Sequence, residues 1–449
     1  MRIIIIGAGS AGYNLSQQLC RLGHSVVLID HNASRLEAIR AQLDILTIPG
    51  NGASPVVLEQ AEISRADLLL AVTNKDEINI VACVYAGAVG VPHKVARITN
   101  TEHSHAPPHM DLRNVGPDLL ICHKEETARE MFNVLRRPGT LEVIDLLDGL
   151  MLTIGLAITE DSPLCGLTLR SIPEERWRVS LRVVALLREG STSVPDGETM
   201  LQAGDNIYAV MNPADVDDFL DWAHPGRMKL AKIVIAGAGE IGFQLAQQLE
   251  KRPGQVVLIE EDVPRAEFCS GKLERTLVIR GNTLDGETLR NIGIIEDTAF
   301  AAVTGDDENN IISCLLARKM GASFSMAKVT KNEYMPIIRE LNLLDRIVSP
   351  QQTMVNAILH FVSGQNVRSA TLLHRLDGEF IEMVMPSDGK WINKAIKDIR
   401  CPKETLIAAV KRGDEVYVPT GDLALKEGDE LVVFAQPQAI EKIKAIFRK

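Results

Sequence analysis

Residues 3–6 are four consecutive isoleucines. A continuous aliphatic run of this length predicts a parallel strand covered on both faces. Ala11, Leu15, Leu19 and Leu22 then keep helical spacing, and Gly23 follows as a C-cap. Further strand-like runs stand at Val26–Asp30, Ile45–Ile48, Leu68–Thr73, Val95–Ile98 and Leu119–Ile121. Helical stretches fall between them, as around Ile78–Ala88. Strands alternating with helices predict βαβ units and an open parallel sheet. Glu125–Arg137 reads as a helix leaving this unit, and Gln351–Val362 as its counterpart. The pattern then changes. Residues 140–222 and 366–449 alternate short β-like runs, such as Leu181–Arg188 and Ile207–Val210, with turn signals such as Pro195-Asp196-Gly197 and Ala203-Gly204-Asp205. Each stretch ends in a helix, at Pro213–Trp222 and Gln438–Phe447, which predicts a small α+β module.

The same pattern occurs twice. Ile4-Ile5-Ile6-Gly7-Ala8-Gly9-Ser10-Ala11-Gly12 recurs as Val234-Ile235-Ala236-Gly237-Ala238-Gly239-Glu240-Ile241-Gly242, and Val26–Asp30 recurs as Val256–Glu260, both offset by 230. Ala71–Asn79 recurs as Ala302–Asn310, offset by 231. In the smaller modules, Pro195-Asp196-Gly197 and Gly204-Asp205 match Pro419-Thr420-Gly421 and Gly428-Asp429, offset by 224. Blocks in one order mark a tandem duplication. The fold class is therefore α/β, each half a Rossmann-like parallel-sheet lobe followed by a small α+β lobe. The expected boundaries are 1–124 for the first Rossmann-like lobe, 125–139 for a connecting helix and 140–222 for the first small lobe. A linker at 223–231 precedes the second Rossmann-like lobe at 232–350, a connecting helix at 351–365 and the second small lobe at 366–449. A length of 449 residues suggests roughly three domains; the repeat replaces that expectation with four lobes.

The glycines carry the candidate chemistry. In each copy GxGxxG follows a strand and opens a helix, and an acidic residue closes the next strand 18 positions after the last glycine. Gly7 permits a tight turn, Gly9 lets a pyrophosphate approach the backbone, and Gly12 lets helix pack on strand. The helix N-terminus offers N–H groups to phosphate. Asp30 and Glu260 would accept hydrogen bonds from ribose hydroxyls, which favours NAD(H) or adenosine nucleotides over NADP. The alternative is a Rossmann-like unit whose glycines serve packing alone. Thr73 and Thr304 end the fourth strand, where a hydroxyl reaches phosphate or ribose, or else serves a turn. Asp76 and Asp307 begin the next helix and read as dipole and cap residues. Gly50-Asn51-Gly52 and Gly281-Asn282-Thr283 follow the third strand, beside an adenine edge or as plain turns. Glu240 stands in the second loop where Ser10 stands in the first. Its charge repels a pyrophosphate, with Arg280 and Lys328 as candidate compensators. The first site is therefore expected to bind an anionic dinucleotide more tightly than the second.

Composition narrows the partners. Hydrophobic residues at 46% and charged residues at 24% are ordinary for a globular chain, and aromatics at 4% call for aliphatic cores. A net charge of −11 gives no support to nucleic-acid binding or to a polybasic membrane surface. The longest uncharged apolar stretches, near Asn79–Pro92 and Gly149–Thr159, are too short to span a bilayer, and the N-terminus has no room for a signal peptide. Seven dispersed cysteines without a CxxC pair fit a reducing cytoplasm. His103, His105 and His109 lie close together, but the second copy has no histidine there, so a solvated loop is expected rather than a metal site. Asp196, Asp205, Asp422 and Asp429 read as turn residues.

Two GAGxxG units, each with an AVTxxDExN-like block and a following P-x-G…G-D module, resemble the RCK (KTN) family of regulators of potassium channels and transporters. The resemblance covers essentially the whole chain. It implies that the Rossmann-like parts are nucleotide-binding N-lobes and the smaller parts C-lobes. It also implies NAD(H), ATP or ADP as ligands and a homo-oligomeric ring beneath a Trk-type integral membrane potassium channel or transporter subunit. The location implied is cytoplasmic, peripheral on the inner face of the cell membrane. Gly7, Gly9, Gly12, Asp30, Asn51, Thr73 and Arg97 fall on the family's nucleotide-site positions, as do Gly237, Gly239, Gly242, Glu260, Asn282, Thr304 and Lys328 in the second copy. No catalytic or metal-ligating residue is implied. The rival reading is an NAD-dependent dehydrogenase with duplicated Rossmann units, which would need an acid/base group beside the nicotinamide.

Overall fold

In the computed structural model the described residues are 1–449 without 148, 173–179, 226–229, 365–368, 373–375, 388, 390, 448 and 449. Part of the expected linker (226–229), the end of the second connecting helix (365) and the start of the second small lobe (366–368) thus lie outside the described residues. The chain forms two compact units, Met1–Phe132 with Leu230–Ile358 and Asn133–Lys229 with Leu359–Lys449.

The first unit holds the two α/β lobes. In the first, strands β1 (Arg2–Ile6), β2 (Ser25–Asp30), β3 (Leu46–Pro49), β4 (Leu68–Ala71), β5 (His93–Ile98) and β6 (Leu119–Cys122) alternate with helices α1 (Ser10–Arg21), α2 (Ala33–Arg40), α3 (Pro55–Gln60) and α4 (Asp76–Ala88), and α5 (His123–Arg136) follows β6. All strand pairs are parallel, in the order β3-β2-β1-β4-β5-β6. The order reverses between β1 and β4, so a crevice opens where the loop after β1 lies. Ile3, Ile4, Ile5 and Ile6 are at most 1% exposed, which is what a central strand sandwiched by helices requires. Pro49 is tolerated because β3 is an edge strand and has no neighbour on its outer side.

The small lobe of the first half contributes β7 (Glu142–Leu146), β8 (Met151–Ala157), β9 (Leu181–Arg188), β10 (Ser191–Ser193), β11 (Asn206–Met211) and α6 (Val216–Ala223). The second α/β lobe repeats the first. It contains β12 (Lys232–Ala236), α7 (Glu240–Leu249), β13 (Gln255–Glu260), α8 (Val263–Lys272), β14 (Leu277–Arg280), α9 (Gly286–Ile292), β15 (Thr298–Ala302), α10 (Asp307–Lys319), β16 (Phe324–Lys328), α11 (Tyr334–Glu340), β17 (Arg346–Val348) and α12 (Pro350–Gly364). Its parallel sheet runs β14-β13-β12-β15-β16-β17, the same order as in the first lobe. The second small lobe has β18 (Ser369–Leu372), β19 (Glu379–Val384), β20 (Thr405–Arg412), β21 (Glu415–Tyr417), β22 (Glu430–Ala435) and α13 (Pro437–Phe447).

Within the second unit each small lobe is a five-stranded antiparallel sheet with its helix on one face. The other faces share one core. Val184 and Tyr208 of one sheet meet Phe380, Ala408 and Phe434 of the other, all fully buried. Aliphatic side chains make up most of this core, and Tyr208, Phe380 and Phe434 are its buried aromatics. Hydrogen bonds cross the same junction, from the Leu147 amide to Glu382 (3.0 Å) and from the Asp377 amide to the Thr192 hydroxyl (3.0 Å). Asp205 and Asp429 do more than serve turns. Asp205 accepts the Gln202 amide (2.7 Å) and is gripped by Arg188 through two nitrogens (2.7 and 2.6 Å). Asp429 does the same with the Lys426 amide and Arg412 (all 2.8 Å). Asp196 is a turn residue, accepting from the Glu198 amide and the Thr199 hydroxyl (both 3.0 Å).

Candidate functional site

Both glycine loops lie at the carboxyl ends of their sheets, and each glycine has a separate reason. Gly7 and Gly237 have φ of +105° and +101°, a region that side-chain-bearing residues rarely enter. A Cβ on Gly12 would stand 1.8 Å from the Gly7 carbonyl oxygen, and one on Gly242 1.9 Å from that of Gly237. By contrast, a Cβ on Gly9 or Gly239 would meet nothing within 4 Å. The first and last glycines are thus required by the fold, while the middle one borders open space at the N-terminus of α1 or α7.

The acidic residue that ends β2 or β13 closes the loop from below. Asp30 is 7% exposed; its oxygens accept from the amides of Ala8 (2.6 Å) and Asn32 (2.8 Å). Glu260 accepts from the amides of Ala238 (2.7 Å) and Asp262 (3.0 Å). The carboxylate therefore braces the loop, and each oxygen keeps a further lone pair for a hydroxyl. Asn51 and Asn282 close turns onto the amides of Ala53 (3.0 Å) and Leu284 (2.8 Å).

Thr73 and Thr304 follow β4 and β15. Their hydroxyls are bound to the side chains of Asn79 and Asn310 (both 2.7 Å). These two buried asparagines carry no role in the sequence reading, yet each joins two strand ends. Asn79 Oδ1 also accepts from the Thr73 amide (3.0 Å), and its Nδ2 donates to the carbonyls of Thr73 (3.1 Å) and Arg97 (2.8 Å). Asn310 repeats this with Thr304 and the Lys328 carbonyl (3.0 Å). Asn79→Ala is expected to cost about 2–3 kcal/mol, because several buried backbone partners lose their bonds at once. Urea unfolding of the full chain measures this, and an unchanged midpoint would refute the bracing role. Asp76 and Asp307 serve a similar purpose rather than capping their own helices. Asp76 accepts from the Thr99 amide (2.9 Å) and hydroxyl (2.8 Å) and from the Asn100 amide (3.0 Å). Asp307 accepts from the Thr330 amide (2.8 Å) and hydroxyl (2.7 Å) and from the Lys331 amide (2.8 Å).

Arg97 and Lys328 border the space between the two glycine loops. They line a cleft of about 440 Å³ within the first unit, together with Ser10, Glu240, Thr304 and Gly239. Both halves contribute to its walls. Lys124, at the start of α5, reaches Glu240 of the other half at 2.7 Å. The expected compensators, Arg280 and Lys328, do not make that contact. Glu240 thus reaches across to the other half, and the Lys124 ammonium offsets its charge. The pair is part-exposed, and its stability contribution is small. His123 lies beside it; burial and the charges of Arg97, Lys124 and Lys328 push its pKa down to about 4, so it is neutral near pH 7. Burial likewise lowers the pKa of Arg97 and of Lys328, with Asp76 and Asp307 respectively acting the other way.

The histidine-bearing loop consists of short 3-10 turns. His105 Nδ1 is 3.0 Å from the Thr101 carbonyl, and among the described residues no three His, Cys, Asp or Glu side chains are grouped as a metal site.

Fold and loops together define a duplicated Rossmann-type protein with a small antiparallel lobe in each half. The TrkA-N domain model matches residues 3–118 and 233–350, and the TrkA-C domain model matches 154–224 and 380–448. The chain belongs to the TrkA family. It is 33% identical over 448 residues to the Trk system potassium uptake protein TrkA homolog of Archaeoglobus fulgidus, covering all of both chains. It is 31% identical over 453 residues to the TrkA of Halomonas elongata, covering 100% of this chain and 99% of that one. Among solved structures, the GsuK channel bound to NAD has the same fold (TM-score 0.61, 18% identity, 99% of this chain and 78% of that chain). The GsuK RCK domain gives a TM-score of 0.60 at 18% identity, covering 99% and 94%. Among the described residues no helix is long and apolar enough to cross a membrane.

Proposed function

We propose that this chain is the nucleotide-sensing regulatory subunit of a membrane potassium uptake system. The observation that carries the reading is the duplicated glycine loop. In each copy two glycines are fixed by packing, and the middle one is left facing open space above a braced carboxylate. That arrangement suits the pyrophosphate and ribose of NAD(H), or the phosphates of ATP or ADP. The relatives are potassium uptake proteins, and a protein of the same fold is a channel that binds NAD. Their role decides against a dehydrogenase.

In this reading residues 1–124 and 232–350 bind nucleotide, with Gly9, Asp30, Asn51 and Thr73, and Gly239, Glu260, Asn282 and Thr304, bordering the two grooves. Copies of the chain assemble into a ring on the inner face of the membrane, against an integral potassium-conducting partner. Nucleotide shifts the equilibrium between lobe arrangements by its differential affinity for them, and the partner's pore reports the shift. Gly9→Asp places a carboxylate in the open space without a packing clash. It should weaken NAD binding at the first site at least about tenfold, an order set by one repulsive charge near a phosphate. The double variant Gly9→Asp, Gly239→Asp should abolish the nucleotide dependence of potassium flux in vesicles holding both subunits. Flux that still follows nucleotide in a chain shown by calorimetry to bind none would overturn the proposal.

A further inference from the structure

The two glycine loops are not held alike. Arg265, in the first turn of α8, donates from Nε to the Ala238 carbonyl at 2.6 Å. Ala238 stands between Gly237 and Gly239. Its amide is already held by Glu260 at 2.7 Å, so both polar groups of one loop residue are tied to side chains outside the loop. The Cys269 thiol lies 3.9 Å from the same carbonyl. A hydrogen bond donated by a cation is among the stronger ones. The guanidinium is in turn held by two rings. Its carbon lies 5.7 Å from the centre of the Phe243 ring on α7 and 5.0 Å from that of Phe268 on α8. The two ring centres are 5.6 Å apart. Among the described residues no hydrogen bond or ion pair reaches the terminal nitrogens of Arg265, so aromatic faces rather than a carboxylate set its position.

The first repeat has the arginine without the clamp. At the offset of 230, Arg35 answers to Arg265, but Tyr13 answers to Phe243, Ala38 to Phe268 and Ile39 to Cys269. The Tyr13 hydroxyl turns to Gln42 (2.8 Å), and Arg35 is exposed. Among the described residues no side chain donates to the Ala8 carbonyl, so Asp30 braces that residue through its amide alone. One loop is therefore tied at both polar groups of its central residue and the other at one.

We propose that Arg265 is a positioning residue of the second nucleotide site. Clamped by Phe243 and Phe268, it fixes the second glycine loop in its binding geometry before a ligand arrives, whereas the first loop is ordered by its ligand. The inference rests on the reading of the second loop as a nucleotide site. A loop fixed in advance loses less conformational freedom on binding, and that difference appears as affinity.

Calorimetry of the full-length chain with NAD tests this. In Gly9→Asp the first site is disabled and the heat reports the second. Adding Arg265→Met should weaken NAD binding about tenfold, the effect of one charge-assisted bond lost from the loop. Adding Arg265→Lys instead keeps a cation by the rings and a donor for the carbonyl. It should restore most of the affinity, which packing alone would not do. Phe268→Ala should weaken NAD about threefold in the Gly9→Asp chain and not at all once Arg265 is replaced by methionine, because the ring acts through the guanidinium. Arg35→Met in the Gly239→Asp chain should leave the first site unchanged. Affinity indifferent to Arg265→Met, equal losses in the methionine and lysine variants, or an effect of Phe268→Ala that persists without Arg265 would overturn the proposal and leave the second site standing. A loss from Arg35→Met as large as that from Arg265→Met would do the same. Absence of NAD binding to the Gly9→Asp chain itself would sink the second loop as a nucleotide site, and this inference with it.

Discussion

Gly12→Ala is expected to destabilise the first α/β lobe by about 3 kcal/mol or more. The added methyl would fall 1.8 Å from the Gly7 carbonyl oxygen, which is backbone and cannot rotate away. Gly7 cannot retreat either, because its own Cα lies against Thr73, and a Cβ there would already be 3.0 Å from the Thr73 amide. The strain therefore passes into the junction of β1, α1 and β4, the centre of the sheet. Gly9→Ala is the paired control. Gly9 has φ of −67°, open to any residue, and nothing stands within 4 Å of its methyl position. Its cost should be about 1 kcal/mol or less, the effect of alanine at a helix N-cap. Chemical denaturation of the full chain reads both. Similar losses for the two variants would show that the loop is equally tight throughout and remove the argument for an open groove.

The second large effect concerns the small lobes. Arg188→Ala and Arg412→Ala should each cost about 3–5 kcal/mol, because each strands a carboxylate that is almost fully buried. Asp205→Ala and Asp429→Ala should cost less, about 2 kcal/mol, since the arginine left behind is part-exposed and can turn to water. Burial alone would raise the pKa of Asp205, but its bonds from Arg188 and the Gln202 amide outweigh burial and hold it below the ordinary value. Asp429 behaves alike with Arg412 and the Lys426 amide. Folded values below unfolded ones mean stability that is complete above about pH 4 and is lost as pH falls through the folded values. Urea midpoints from pH 6 down to pH 3 should therefore fall for the parent chain and fall less for Asp205→Ala with Asp429→Ala. Parallel curves would discount the two ion pairs as a source of acid sensitivity.

The fold was legible because its signals are local. Four isoleucines in a row announce a central strand, and a duplicated order of blocks announces two halves. The glycine loops were legible for the same reason: their requirements lie within six residues. What escaped was long-range. Lys124 meets Glu240 across 116 residues, and nothing near either residue indicates the other. Asn79 sits in a helix like any polar residue, and only the convergence of two strand ends above it reveals its four bonds. Arg188 with Asp205 is intermediate: the aspartate was visible as a turn residue, but its partner is 17 positions away on another strand. Arg97 and Lys328 were recognised as site positions, yet the cleft they line is made by both halves, which no single lobe's sequence displays.

The unequal cleft has an evolutionary meaning. In a dimer of identical chains, any substitution at such a junction enters twice, once on each side, and both copies must tolerate it. A fused duplicate takes each change once. Glu240 could arise opposite Lys124 with no second copy of itself to satisfy. A tandem duplication in one chain therefore lets the two faces of the junction differ, as Glu240 and Ser10 do.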